Sequence, residues 1–231
     1  MESGHAELMD GVYRHQRHFY DLTRKYYLFG RDRLIRELDL APGERLVEIG
    51  CGTARNLIRI ARRYPQAQLF GLDASHEMLK TAQLAVARSG LTARIKLAWG
   101  YAEHLSPAMF GEALPFDRAL FSYSLSMIPD WKQALNSANR VLSPAGRLHI
   151  VDFADLSGLG PLGARLLLAW LALFHVRPRA ELIAQIEPKA EKNATNRGEN
   201  PLLRMLPGRY AFLLNCSRKE LEELALSDVA A

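Results

Sequence analysis

Two glycines one residue apart, Gly50 and Gly52, follow the apolar run LVEI, and an acid, Glu48, stands two residues before the first of them. A second apolar run, QLFGLD, ends on Asp73, 21 residues after Gly52. Short apolar runs bounded by turn residues read as buried strands. A strand that enters a glycine turn and then a helix lays backbone N–H groups and a helix amino terminus beside the carboxyl edge of a sheet. With no side chain at Gly50 or Gly52, a ligand can approach that backbone closely. An acid ending the next strand is placed to grip a ribose diol, so the set marks an adenosine pocket. A dinucleotide-binding turn would carry a third glycine three positions after Gly52. Position 55 is Arg, preceded by Thr53 and Ala54, which disfavours a nicotinamide dehydrogenase.

The elements that must position these residues alternate along the chain. After the turn Ala41-Pro42-Gly43 come the strand LVEIG, a helix from Ala54 to Arg63, the strand QLFGLD and a helix from Ser75 to Arg88. Strands ARIKLAWG and FDRALFSYS follow, then a helix from Trp131 to Leu142, the turn SPAG and the strand RLHIVDF. Strands separated by helices and tight turns predict an α/β fold with a mostly parallel sheet and helices on both faces. Ahead of it, Tyr13, Tyr20, Tyr27 and Leu34 recur every seven residues, predicting helices that break near Asp21 or Gly30. Beyond Asp155, PLGARLLLAWLALFHV is strongly apolar, EPKAEKNATNRGENP reads as a loop across residues 187–201, RYAFLLNC as a late strand and RKELEELA as a short terminal helix.

The ordered set from Gly43 to Phe153 resembles the class I S-adenosylmethionine-dependent methyltransferases, whose first motif has the acid-x-Gly-x-Gly form and whose second strand ends in the ribose acid. The resemblance implies a Rossmann-like, mostly parallel seven-stranded sheet in residues 41–231, a helical cap in residues 1–40, and S-adenosyl-L-methionine as cofactor. Mapped onto this chain, Glu48, Gly50 and Gly52 would serve the methionine end, Asp73 the ribose, and Ala74 and Ser75 the adenine. The family's usual acid after Gly100 is replaced by Tyr101, which makes Ala102 and Glu103 the adenine contacts. Ser122, Tyr123 and Ser124 would face the cofactor. Ala54 stands where the family usually has glycine.

Methyl transfer from a sulfonium is an in-line displacement that asks the protein to align a nucleophile and exclude water. No Ser/His/Asp set or metal-ligand spacing stands out: His15 and His18 lack a third partner, and His104 and His149 read better as surface or packed histidines. Aromatic faces steady a cation by about 0.5 to 2 kcal/mol each. Tyr13, Tyr20 and Tyr27 on one leading face, with Tyr101, Tyr123 and Trp131 from loops, therefore favour an amine acceptor, although core packing accounts for any single tyrosine equally well. Tyr20, Tyr27 and Tyr123 are the candidate catalytic residues.

The segments HFYDLTRKYYLFGRDRLI, SLSMIPDWKQAL and RLHIVDF with LLAWLALFHVRPR resemble bacterial betaine-lipid N-methyltransferases. This implies a lipid amine substrate, diacylglyceryl homoserine, methylated three times. Arg24, Lys25, Arg31 and Arg33 could meet its carboxylate or an anionic lipid surface. Pro161 to Val176 is too short to span a bilayer; it reads either as a buried or dimer helix or as a segment lying in the membrane interface. A quinone or small-metabolite methyltransferase, and a catalytically silent cofactor-binding subunit, are the competing readings.

Thirty basic and 25 acidic residues give a net charge of +5 concentrated early, a bias toward acidic partners or simply a solvated helix face. The 48% apolar and 24% charged composition is that of a folded globular chain. Cys51 and Cys216 suggest neither a disulfide framework nor a zinc site. With no signal pattern in MESGHAELMDG, a cytoplasmic protein peripheral to the inner face of a membrane is expected, without a nucleic-acid partner and with self-association left open.

Overall fold

The computed structural model describes residues 28–174, 176–197 and 203–223. Five strands pair in parallel: β1 (Arg45–Ile49), β2 (Gln68–Asp73), β3 (Ile95–Trp99), β4 (Phe116–Ser122) and β5 (Leu142–Phe153). Two more, β6 (Leu203–Met205) and β7 (Ala211–Ser217), complete a seven-stranded sheet of order β3-β2-β1-β4-β5-β7-β6, with β7 antiparallel to both neighbours. The helices are α1 (Arg31–Arg36), α2 (Arg55–Arg63), α3 (His76–Arg88), α4 (Trp131–Val141), α5 (Gly160–Ala172), α6 (Ala180–Arg197) and α7 (Arg218–Glu223).

Both faces of the sheet are covered, which is why β1 is buried along its whole length. Successive side chains on a strand point to opposite faces. Val47, Phe70, Phe121 and Ile150 accordingly pack with Trp131 and Leu135 of α4 and Leu182 and Ile186 of α6. Leu46, Leu69 and Leu120 pack on the other side with Leu57 and Ile60 of α2 and Leu79 and Ala82 of α3. Burying side chains as completely as Leu57 and Ile60 stabilises the fold by about 1.5 to 3 kcal/mol each. Leu28, Leu34, Ile35, Leu38 and Leu40 join this second cluster, fixing the end of the leading segment to the core. Gly30, one of the two expected helix breaks, precedes α1 with φ 86°.

Three expectations change. The polar stretch taken for a loop from 187 onward continues α6 as far as Arg197, because Glu, Lys and Ala are strong helix formers even where no apolar stripe announces them. The SPAG turn is absorbed into the long β5, and the pairing register shifts between Phe116 and Arg118. The apolar segment at Pro161 forms α5, but only Leu171 of that helix is buried, so it is not a core helix.

The excursion from the end of β5 is fastened at its base. Arg209 Nη2 lies 2.6 Å from Asp155 Oδ2, and its Nη1 lies 2.7 Å from Glu187 Oε1 on α6.

Candidate active site

The β1–α2 turn is tightened by backbone geometry. Gly50 N–H and Cys51 N–H both donate to the Leu72 carbonyl, at 2.8 and 3.0 Å, bending the chain over the end of β2. Gly50 has φ 74°, and a Cβ there would stand 2.4 Å from the Ser124 Cβ. Gly52 has φ 54° and Ala54 φ 60°. The left-handed conformation costs a non-glycine residue roughly 1 to 2 kcal/mol, which is the physical reason glycine would be at home at position 54.

Asp73, at the carboxyl end of β2, closes the turn from the opposite side. Its Oδ2 accepts from Gly52 N–H at 2.7 Å and its Oδ1 from Ser75 N–H at 2.9 Å, while Ser75 Oγ caps α3 by accepting from Met78 N–H. One carboxylate therefore links the glycine turn to the start of α3.

A cleft opens there. It is lined by Gly50, Gly52, Asp73, Ala74, Ser75, Tyr101, Ala102, Glu103, Ser122, Tyr123 and Ser124, all singled out from the sequence, together with Ile49, Leu72, Met78, Gly100, Met127, Ile128 and Pro129, which were not. Gly50, Gly52 and Ser122 also line a second cleft beyond the turn, where Glu48 and Arg31 meet. Arg31 thus lies beside the glycine turn.

Glu48 is fully buried. Asn56 Nδ2 donates to its Oε1 at 2.7 Å, but desolvation dominates and pushes its pKa up to about 8, so the carboxyl is held protonated near neutrality. Two buried oxygens at this junction, Glu48 Oε2 and Ser122 Oγ, have no hydrogen-bond partner. Buried polar atoms are ordinarily satisfied, so a polar ligand is the natural complement to this pair. Ser124 Oγ, by contrast, already donates to the Ile49 carbonyl at 2.6 Å.

The aromatic expectations divide. Tyr101 lines the main cleft beside Trp99, whose ring stacks on His76. Tyr123 also lines it, yet its ring packs edge-on against Phe153 and its hydroxyl donates to the Phe29 carbonyl at 2.6 Å, so this tyrosine anchors the leading segment instead of presenting an open face to a cation. Trp131 is buried among the α4 contacts and donates to Glu181, which removes it from any acceptor cage. Tyr20, Tyr27, Arg24 and Lys25 lie outside the described residues. Glu48, Gly50, Gly52 and Asp73 stand together as their spacing predicts.

Three of the residues missed, Met127, Ile128 and Pro129, come from the loop after β4, whose backbone is held from below. Asp152, buried in β5, accepts from Ser126 N–H at 2.9 Å, and Arg179 donates to the carbonyls of Leu125 and Ile128. Burial raises the Asp152 pKa against the pull of these hydrogen bonds. The only signal for this wall in the sequence is the apolar pair in SMIP directly after a strand. Among the described residues no group of His, Cys, Asp and Glu could hold a metal ion.

A family described as a methyltransferase domain matches residues 46–146, the stretch that builds the turn, the acid and the first four strands. The chain carries the class I methyltransferase fold. The matched domain and the fold imply S-adenosyl-L-methionine as cofactor. The cleft fits this molecule: a glycine cradle that a Cβ would fill, and orphaned polar oxygens where the amino-acid end would reach. The chain is 33% identical over 143 residues to a ubiquinone/menaquinone biosynthesis C-methyltransferase of Syntrophotalea carbinolica, covering 59% of this chain and 57% of the relative. To a demethylmenaquinone methyltransferase of Desulfitobacterium hafniense it is 32% identical over 141 residues, covering 58% and 54%. It thus spans about half the length of the curated relatives it matches. A solved S-adenosylmethionine-dependent methyltransferase, SibL, superposes with a TM-score of 0.61 at 21% identity, over 87% of this chain and 57% of that one. One from Aquifex aeolicus gives 0.56 at 16% identity, over 83% and 91%. At these identities both speak for the fold alone.

Proposed function

We propose that the protein transfers a methyl group from S-adenosyl-L-methionine to a nucleophile on the head of a lipid-tailed acceptor. The observation that carries the donor half is the pair of unsatisfied oxygens, Glu48 Oε2 and Ser122 Oγ, beside a glycine turn with no room for a Cβ. When bound, the cofactor supplies an activated methyl group on a sulfonium. Asp73 would hold the ribose. Ala74, Ser75, Tyr101, Ala102 and Glu103 would flank the adenine. Glu48 and Arg31, lining one cleft, match the ammonium and carboxylate of the amino-acid end, the Glu48 carboxyl giving up its proton as the ammonium binds. Met78, Met127, Ile128 and Pro129 give the remaining wall an apolar, water-excluding surface, which is what an in-line displacement asks of the protein.

Two head groups compete for the acceptor place. The curated relatives are named for ubiquinone and menaquinone biosynthesis, which favours a ring carbon of a quinone precursor. The resemblance of HFYDLTRKYYLFGRDRLI and RLHIVDF to betaine-lipid N-methyltransferases supports the amine of diacylglyceryl homoserine instead, and those segments lie largely outside the matched domain. Both acceptors are lipid-tailed, but they make different demands. A ring carbon is activated by removing a hydroxyl proton, whereas an amine only has to be neutral.

Mass spectrometry of lipids and quinones decides between them, using cells that express the protein together with a source of demethylated quinone or of diacylglyceryl homoserine. A single methyl added to the quinone supports the first head group; a ladder ending at three added methyls supports the second. Methylation confined to a small water-soluble metabolite overturns the lipid-tailed reading. Tight donor binding without turnover on either lipid means a catalytically silent subunit.

A further inference from the structure

The least expected surface of this molecule is α5. An apolar helix in a folded protein normally hides its apolar side. Here Leu162 is 71% exposed, Leu166 64% and Leu173, just past the helix end, 71%, with Leu168 exposed as well. At 100° per residue, Leu162, Leu166, Ala169 and Leu173 fall on one stripe, while Leu171, Ala164, Leu167 and Trp170 turn toward the protein. The outward face is continuous leucine and alanine interrupted by a single charge, Arg165, which is itself exposed.

We infer that α5 seats the protein on an anionic phospholipid bilayer, lying in the plane of the head groups with its leucine stripe turned into the acyl layer. Four observations favour a bilayer over a second protein as the occupant. Thirteen residues make a helix about 20 Å long, too short to cross a hydrocarbon core and suited to lying along it. Arg165 would be an uncompensated charge in a dry leucine seam; in a head-group layer its long stem lies along the apolar surface while the guanidinium reaches phosphate. Between Asp155 and Glu181 the chain carries Arg165, Arg177 and Arg179 and no acid, and the exposed Arg165 and Arg177 complement an anionic surface.

The last observation concerns placement. The inward side of α5 is continuous with the wall of the main cleft: Trp170 packs edge-on against Phe174, and Phe174 packs with Met127 and Met78, both of which line the cleft. A helix seated in the bilayer would bring the apolar side of the methyl-transfer site to the level at which a lipid-tailed acceptor presents its head. This deepens the reading of a lipid-tailed acceptor and rests on it for the role of the seating, whereas the seating itself is measured without turnover.

The test is co-sedimentation of the full chain with phosphatidylcholine vesicles, with and without phosphatidylglycerol, alongside calorimetric titration of S-adenosyl-L-methionine. The natural chain is expected to pellet with phosphatidylglycerol vesicles. Leu162→Gln, Leu166→Gln and Leu173→Gln combined should weaken that partition by on the order of tenfold or more while cofactor affinity stays within about twofold. Arg165→Gln alone, an exposed single change that spares the stripe, should lower partition only where phosphatidylglycerol is present. A natural chain that stays in the supernatant, a triple variant that still pellets, or an Arg165→Gln protein with undiminished phosphatidylglycerol dependence overturns the proposal. So does a dimer in light scattering that the leucine changes dissociate, since the stripe would then be a seam between two copies. Failure here with lipid methylation intact would leave the acceptor reading standing, and loss of lipid methylation with vesicle binding intact would do the reverse.

Discussion

The two halves of the sheet are built on different principles. In the β1–β2–β3 half, the site is made of backbone: a glycine turn bent onto the Leu72 carbonyl and a carboxylate that accepts two main-chain N–H groups. In the β4–β5–β7 half, it is made of side chains on a loop, Met127 and Ile128, propped from beneath by Asp152 and Arg179 and backed by a helix that leaves its leucines outside. Backbone sites tolerate almost no change in residue type, whereas walls of apolar side chains can be repacked. Under the proposed function, donor recognition would be rigid and acceptor recognition adjustable.

The sharpest way to break this contrast is at Gly50. Gly50→Ala pushes a methyl group into Ser124 at a positive φ, and a loss of about 3 kcal/mol in folding stability together with cofactor binding is expected, read by thermal melts and calorimetry. A well-folded alanine variant that binds the donor normally would mean that the turn is not rigid. Next in size, Asp73→Ala should weaken donor binding by about one to three kcal/mol, since it removes the proposed ribose partner and strands two N–H groups. Unchanged affinity by calorimetry counts against the assignment.

Glu48 sharpens the comparison through pH. Its folded-state pKa is raised to about 8, so the stability it confers is full below its ordinary carboxylate range and is lost as pH rises through about 8. A cationic donor favours the ionised form, so donor affinity should rise between about pH 6 and 7.5 with release of a proton, and Glu48→Gln should flatten the dependence. Calorimetry in buffers of different ionisation enthalpy reads the proton count.

Tyr123→Phe is expected to cost about 1 kcal/mol of stability through the lost bond to Phe29, leaving donor affinity unchanged. Slow turnover in a variant of unchanged stability would instead return this hydroxyl to the chemistry. Smallest is the Asp155–Arg209 pair. The guanidinium holds the Asp155 pKa down to about 2, so the contribution of this pair is present above the normal carboxylate range and disappears as pH falls through about 2. An Asp155→Asn chain should melt like the natural one at that acidity and slightly earlier at neutral pH.

The same division governs what could be read from the sequence. QLFGLD is β2 from end to end, and Trp131 begins α4, because short-range signals set them: a buried strand between turns, and an Asp130 side chain that caps the helix. Glu48, Gly50, Gly52 and Asp73 were legible for the same reason, their chemistry being fixed by spacing along one strand–turn–helix unit. Met78, Met127 and Pro129 were not, since an apolar residue beside a cleft looks in sequence like one in a core. The outward turn of Leu162 and Leu166 was equally hidden: helical spacing gives a stripe but not the side of the protein it faces. Residues 187–197 misled in the opposite sense, their polarity suggesting a loop while their helix propensity extended α6.

Arg209 adds a further consequence. Because one guanidinium grips both Asp155, where the chain leaves the sheet, and Glu187, where it has come back on α6, everything between them is a loop buckled at its own base. Because Arg179, inside that loop, also holds the carbonyls of Leu125 and Ile128, mechanical load on its outer rim would be shared between the buckle and the loop after β4. A segment fastened in this manner is a strut: exchanging it for another of different length or greasiness would reshape the cleft wall it props, while the Gly50 and Cys51 bonds to Leu72 in the other half of the sheet would remain as they were.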